Sequence, residues 1–156
     1  DLFDRAGTVC KLANIRKVLY KVRQHESSVS KVFADVQVAN SARVKTRIFN
    51  RIGIDAPAQS LELYRNLMHQ NYSTLKPATE QLVTLLNELF AANEKSAVFE
   101  SADFKSHLST MWFHFCNANA TKDFNAIQWY KKAIFTHEND LKAVQKGKLY
   151  LKQLLR

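Results

Sequence analysis

The stretch EQLVTLLNELF, residues 80–90, decides the fold class of this chain. Its Leu82, Leu85, Leu86, Leu89 and Phe90 recur at steps of three and four residues, which places them on one face of an α-helix. The chain holds only three glycines and two prolines, far fewer than the tight turns of a sheet require. Similar apolar stripes run over residues 9–22, 29–36, 44–52, 61–68, 104–115, 124–134 and 141–155. The pattern predicts an all-α protein of about seven or eight helices.

The length and composition are those of one ordinary globular domain. The chain has 156 residues, of which 46% are hydrophobic and 24% charged. We therefore expect a single all-helical domain over residues 1–156, arranged as a multi-helix bundle or an irregular helical-repeat array. No apolar run approaches the roughly 18 residues that cross a bilayer, so no transmembrane segment is expected. The sequence leaves the cellular compartment open.

Capping and breaking residues predict where the helices begin and end. A first amphipathic helix is expected over Val9, Leu12, Ile15, Leu19 and Val22, and a second after a cap at Ser27 or Ser28. Further expected boundaries are a break at Asn40-Ser41, a stop at Gly53, a cap at Asp55 with Pro57 in the first turn, a start at Ser101 or Ala102, and a kink at Gly147. Most of the apolar residues in these stripes are assigned to the core, including Met68, Ile134, Val144 and Leu151.

The net charge of +9 is unevenly distributed along the chain. Residues 1–52 hold 11 basic and 4 acidic side chains, residues 53–130 hold 5 and 8, and residues 131–156 hold 7 and 2. The three segments therefore carry +7, −3 and +5. Such a distribution either attracts an acidic partner or lets the ends of the chain pack beside its acidic middle.

Basic side chains at helical spacing are the candidate binding residues. Arg43, Arg47 and Arg51 follow the spacing i, i+4, i+8, which lines them along one helix face, and arginine guanidinium groups bind phosphate and carboxylate oxygens in pairs. The same spacing recurs at the C-terminus, and a further pair lies near the N-terminus: Lys148, Lys152 and Arg156; Lys17 and Lys21. The alternative interpretation is a solvated helix face, the usual place for charge on an amphipathic helix.

No pattern typical of a catalytic or metal site occurs in the sequence. There is no glycine-rich phosphate loop, no GxSxG and no HExxH. His107 and His114 lie beside Met111 and Cys116, but without a carboxylate at ligand spacing we interpret them as hydrogen-bonded core histidines. Cys10 and Cys116 are interpreted as buried thiols. We therefore expect no catalytic residue, metal or cofactor, and a protein that is not an enzyme.

Two short motifs match the sequence pattern for N-glycosylation. They are Asn71-Tyr72-Ser73 and Asn119-Ala120-Thr121. They matter only for a secreted chain, and the sequence does not distinguish them.

Two segments resemble known helical families. Residues 123–134, DFNAIQWYKKAI, resemble the second helix of a tetratricopeptide repeat, although no copy recurs at a 34-residue period. Residues 27–33, SSVSKVF, together with Val36, resemble the helix–loop segment of the WY-type effector modules secreted by oomycete plant pathogens. The tryptophan of that family is absent just upstream, where Val18, Leu19 and Tyr20 stand.

These observations lead to three functional hypotheses. The first is a non-catalytic helical interaction or scaffold module that recognises a protein partner through an apolar or basic face. The second is a nucleic-acid-binding protein that uses basic helix faces at both ends, consistent with an isoelectric point near 9.7. The third is a secreted pathogen effector or a viral structural protein, roles that the same surfaces would serve. The sequence does not predict the oligomeric state.

Overall fold

The protein is all-α throughout the residues that the structure describes. In this computed structural model they are residues 2–7, 9, 10, 13, 15, 17–21, 33–55, 57–137 and 141–155. This part of the chain contains no strand, only one isolated bridge between Thr121 and Phe124. It divides into an N-terminal unit, Asp1–Ile48, and a C-terminal unit, Phe49–Arg156. The predicted fold class is confirmed, and the single domain stays a prediction.

Six helices of six residues or more lie within the described residues, so the expected count of seven or eight is not supported. Two shorter helical segments, Leu2–Ala6 and Tyr72–Leu75, and a 3₁₀ turn at Lys76–Ala78 accompany them. We number the six longer helices in chain order: α1 Ala34–Arg51, α2 Ala58–Met68, α3 Thr79–Ser96, α4 Ser101–Asn119, α5 Ala126–Lys131 and α6 Ala143–Leu155.

The predicted first helix does not form at the positions described between Val9 and Lys21. Residues 9, 10, 13, 15 and 17–21 are turn, bend or irregular backbone, and the helical segment Leu2–Ala6 precedes them. Val9, Ile15 and Leu19 of the predicted stripe are exposed. Short helices depend on burial of their apolar face, because intrinsic propensity alone is marginal in water. Leu12 and Val22 lie outside the described residues, as do the proposed caps Ser27 and Ser28.

The predicted break at Asn40-Ser41 is absent, because α1 runs through both residues. Neither residue lacks a backbone N–H, and each costs only a fraction of a kcal/mol relative to alanine in a helix. From Ala34 onward, the second and third predicted helices therefore form one continuous helix. The helix ends as predicted before Gly53, whose φ of 88° lies in the left-handed region that glycine adopts readily.

The core of the C-terminal unit lies between α3 and α4, with α2, α5 and α6 packed around them. Leu82, Leu86 and Leu89 of α3 are buried, as the opening stretch of sequence predicts. Trp112 of α4 is fully buried, and its indole N–H donates to the backbone carbonyls of Trp129 and Tyr130 at 3.3 Å each. Trp112 thus packs against the α5 segment while its indole nitrogen remains hydrogen-bonded.

Two helix boundaries differ from their predicted positions, and side-chain hydrogen bonds accompany one of them. The helix predicted to continue to Ile134 ends at Lys131. There the side chain of Asn87, on α3, accepts from the Ile134 amide at 2.9 Å and donates to the Lys132 carbonyl at 3.3 Å. These bonds satisfy backbone groups that a longer helix would have paired. At the start of α2, Pro57 and not Asp55 is the N-cap residue.

Outside the first predicted stripe, six residues that periodicity assigns to the core are exposed. They are Phe33, Val36, Met68, Ile134, Val144 and Leu151. Met68 and Ile134 lie at or beyond a helix end, where the helical pitch no longer sets the direction of a side chain. Val144 and Leu151 lie within α6, on the side away from its buried Leu149. Gly147 lies inside this helix.

Candidate functional site

The exposed face of α6 combines two large apolar side chains with a lysine. The helix packs against α4 and α5, with Leu149 fully buried. Val144 and Leu151 remain 70% and 57% exposed, seven residues apart and hence on the same side of the helix. Gly147 and Lys148 lie between them at i+3 and i+4. We call these four residues, Val144, Gly147, Lys148 and Leu151, the α6 face.

The α6 face is apolar with one cationic side chain, Lys148. Residues 141–156 contain five basic side chains and no acidic one. A Cβ atom built on Gly147 would meet nothing within 4 Å, so the space above this residue is open. A partner could therefore approach the helix backbone closely between the two apolar side chains. The spacing of Val144, Gly147 and Leu151 is that of one side of a helix-to-helix contact.

Lys152 was predicted as a binding residue, but it is engaged within the fold. Its ammonium group donates to the backbone carbonyl of Asn117 at 3.0 Å. Asn117 lies in the last turn of α4, where carbonyls lack partners within the helix and a positive charge is favourable. Lys148 is exposed on the same helix. Of the predicted C-terminal row, Lys148 therefore remains on the α6 face, and Arg156 lies outside the described residues.

Arg43, Arg47 and Arg51 are all exposed on α1. Their i, i+4, i+8 spacing within one continuous helix places them on a common face, as the sequence predicts. Arg43 and Arg47 belong to the N-terminal unit, and Arg51 belongs to the C-terminal unit.

The N-terminal unit exposes both cationic and large apolar side chains. Lys17 and Lys21 are exposed, in irregular backbone and not on the predicted helix. The exposed apolar residues of this unit include Val9, Ile15, Val18, Leu19, Tyr20, Phe33, Val36 and Val38.

A surface cleft of about 370 Å³ lies along α4. Ser106, Thr110 and His114 line it at four-residue spacing, and Phe113 and Tyr130 supply aromatic walls. Ser109, also in its lining, donates its hydroxyl to the Phe135 carbonyl at 3.2 Å. No residue in this lining is an aspartate or glutamate, so within it the imidazole of His114 has no carboxylate to orient it as a base.

The histidines and one of the cysteines differ from their predicted environments. His107 and His114 are exposed and are not core residues, because both lie on the side of α4 opposite Trp112. Partial burial nevertheless lowers the pKa of His107. Cys116 is buried as predicted, whereas Cys10 is exposed, and both are free thiols. Across the described part of the chain, no three or more His, Cys, Asp or Glu residues cluster in a way that could hold a metal ion.

The comparisons with known proteins give no match, and none of the described helices could span a membrane. No protein-family model, curated protein or solved structure matches the chain. Within the described residues, no helix is long and apolar enough to cross a membrane. The resemblances to tetratricopeptide repeats and to WY-type effector modules therefore gain no support, and most of residues 27–33 lie outside the described part.

The sequence contained a signal for the α6 face that periodicity alone did not resolve. Val144 and Leu151 define one side of the helix, and Leu149 lies on another. A helix with apolar residues on two sides can bury both sides only if it has neighbours on both, as in the centre of a fold. Only the packing of α6 shows that the side with Leu149 is the buried one.

Proposed function

We propose that this protein is a non-catalytic helical interaction module that binds a protein partner through the α6 face. The observation that carries the proposal is the exposure of Val144 and Leu151 on one side of a helix whose other side is anchored by buried Leu149. Removing apolar surface from water is favourable by about 25 cal/mol per Å². Such a stripe is therefore a favourable site for an apolar partner surface.

The charge on the α6 face indicates the chemistry of that partner. Lys148 is exposed on this face, and residues 141–156 contain no acidic side chain. An amphipathic helix with an apolar stripe bordered by carboxylates would complement this surface. Gly147 would allow the backbone of such a helix to approach α6 closely.

Peptide binding tests this proposal directly. We would measure fluorescence anisotropy with two synthetic 18-residue amphipathic helices that share one apolar stripe, bordered by glutamate in one and by lysine in the other. We expect the glutamate peptide to bind and the lysine peptide to bind at least about tenfold more weakly, since like charges oppose contact. Binding of neither peptide would overturn the proposal.

Three variants assign any binding to the α6 face. Val144→Asp combined with Leu151→Asp should reduce affinity for the glutamate peptide at least about tenfold, because a charge in a buried apolar contact is costly. Lys148→Glu should weaken it less. The matched control is Met68→Asp combined with Ile134→Asp, which places the same two charges at exposed apolar residues outside the α6 face. Equal losses in the two double variants would contradict the assignment.

Binding of nucleic acid is the second candidate function, and the exposed arginines of α1 favour it. Arg43 and Arg47, both in the N-terminal unit, are exposed one helical turn apart on α1, a spacing suited to successive phosphate contacts. Phosphate binding would weaken steeply as salt is added, because bound counterions are released from the nucleic acid. A salt-titrated gel shift with random DNA and RNA tests this, with these two arginines changed to glutamine as the comparison. No binding at low salt would end this hypothesis.

A further inference from the structure

The two N-glycosylation motifs of the sequence have different surroundings in the fold. Both lie in the C-terminal unit, and both have the required hydroxyl residue two positions after the asparagine. An N-linked oligosaccharide is bulky and hydrophilic, so an asparagine that carries one must remain at the surface of the folded protein. The exposure and hydrogen bonding of each asparagine therefore decide at which motif the folded protein can accommodate an oligosaccharide.

Asn71 lies in the turn between α2 and the helical segment Tyr72–Leu75, and its side chain is exposed. Its neighbour Gln70 has a φ of 60°, which turns the chain sharply after α2. The Asn71 amide nitrogen makes a surface hydrogen bond, donating to the Asn66 side-chain carbonyl at 3.0 Å. A primary amide has two N–H groups, so this bond uses one of them. Ser73, the third residue of the motif, is also exposed.

Asn119, by contrast, is only 7% exposed at the end of α4. Its amide nitrogen donates to the Phe115 carbonyl at 3.1 Å and to the Tyr72 carbonyl at 3.3 Å, which engages both N–H groups. The hydroxyl oxygen of Thr121, the third residue of this motif, is buried, and no hydrogen-bond partner exists for it among the described residues. A sugar on Asn119 would remove one of these bonds and require space inside the core.

We propose that Asn71, and not Asn119, is the residue at which the folded protein carries an N-linked oligosaccharide after passage through a secretory compartment. In this transfer, C1 of the first sugar of a lipid-pyrophosphate-linked oligosaccharide forms a bond to Nδ2 of Asn71. The bond from C1 to the pyrophosphate oxygen breaks, the lipid pyrophosphate leaves, and Nδ2 loses one proton. The remaining N–H is sufficient to keep the hydrogen bond to Asn66.

The test uses the full chain placed behind a heterologous secretion signal and expressed in a eukaryotic host. We would measure the intact mass of the folded, secreted protein before and after an amidase that removes N-linked glycans. The wild-type chain should carry one glycan, and the amidase should convert Asn71 to aspartate in the peptide that contains it. A secreted wild-type protein without a glycan would overturn the proposal.

Two variants remove one motif each without changing either asparagine. Ser73→Ala should abolish the glycan, whereas Thr121→Ala should leave it in place. Asn71→Gln provides a second way to remove the first motif, in case Ser73→Ala reduces secretion. A glycan that survives in Ser73→Ala, or that disappears only in Thr121→Ala, would assign the modification to Asn119 and contradict the proposal. Circular dichroism of each secreted variant establishes that its helical fold is retained.

Discussion

The ammonium group of Lys152 lies 3.0 Å from the backbone carbonyl of Asn117 and donates a hydrogen bond to it. The bond joins α6 to the last turn of α4, 35 residues earlier in the chain. Lys148 is one turn away on α6 and remains exposed. Two lysines that look equivalent in the sequence therefore have different surroundings in the fold.

Replacement of Lys152 by alanine should lower the free energy of unfolding by about 1 kcal/mol, because a hydrogen bond from a charged group to a part-buried carbonyl is lost. Lys148→Ala is the matched control and should change stability by less than about 0.5 kcal/mol. Urea unfolding followed by circular dichroism measures both. Equal effects of the two substitutions would show that the Lys152 contact does not stabilise the fold.

Replacement of Asn93 by alanine should destabilise the protein by about 2–3 kcal/mol, because its buried amide holds the turn between α3 and α4. The Asn93 side chain donates to the Phe99 carbonyl at 3.0 Å and accepts from the Phe99 amide at 2.9 Å. Removing it leaves two backbone groups without partners in part-buried surroundings. Lys95→Ala, at an exposed site on the same helix, should have little effect on the urea midpoint.

Replacement of Gly147 by alanine should stabilise the protein by about 0.5–1 kcal/mol, since alanine restricts the unfolded chain and favours a helix interior. The added methyl group meets no atom within 4 Å, so no steric cost offsets this gain. Thermal unfolding should show a higher midpoint. If the α6 face binds a helix, the same variant should bind the glutamate peptide more weakly, because the methyl group occupies the open space.

The two cysteines should react with a thiol reagent in two separate phases. Cys10 is exposed, whereas Cys116 is buried, and burial raises the pKa of the Cys116 thiol well above its usual range. Reaction requires the thiolate and access to it, so at pH 8 one equivalent should react rapidly and the second only after denaturation. Cys10→Ser should remove the rapid phase. Rapid reaction of two thiols in the native protein would show that Cys116 is accessible.

The apolar periodicity predicted the buried face of α3 and failed for the stripe from Val9 to Val22. Leu82, Leu86 and Leu89 are buried within α3, where the sequence places them. The stripe from Val9 to Val22 has the same spacing, yet its described positions are exposed and not helical. Helical spacing shows what a segment could bury, but burial requires a complementary surface elsewhere in the chain.

The spacing of charged residues also did not predict contacts with distant parts of the chain. The exposed Arg43, Arg47 and Arg51 lie on a helix, as their spacing indicates. The role of Lys152 depends on a carbonyl 35 residues away, and no local pattern indicates that contact. The α6 face was also missed, because periodicity assigned Val144 and Leu151 to the core without indicating which side of α6 packs.

The sequence by itself determined the all-α fold class, the stop at Gly53 and the identity of the strongest core helix, because local spacing, the scarcity of glycine and proline, and backbone preferences act within a few residues. The tertiary structure alone decided which of two lysines on α6 is exposed, which of two glycosylation motifs is accessible, and which apolar stripes remain at the surface. Each of those outcomes depends on contacts between residues distant in sequence, since a side chain becomes buried or hydrogen-bonded only when another part of the chain folds against it.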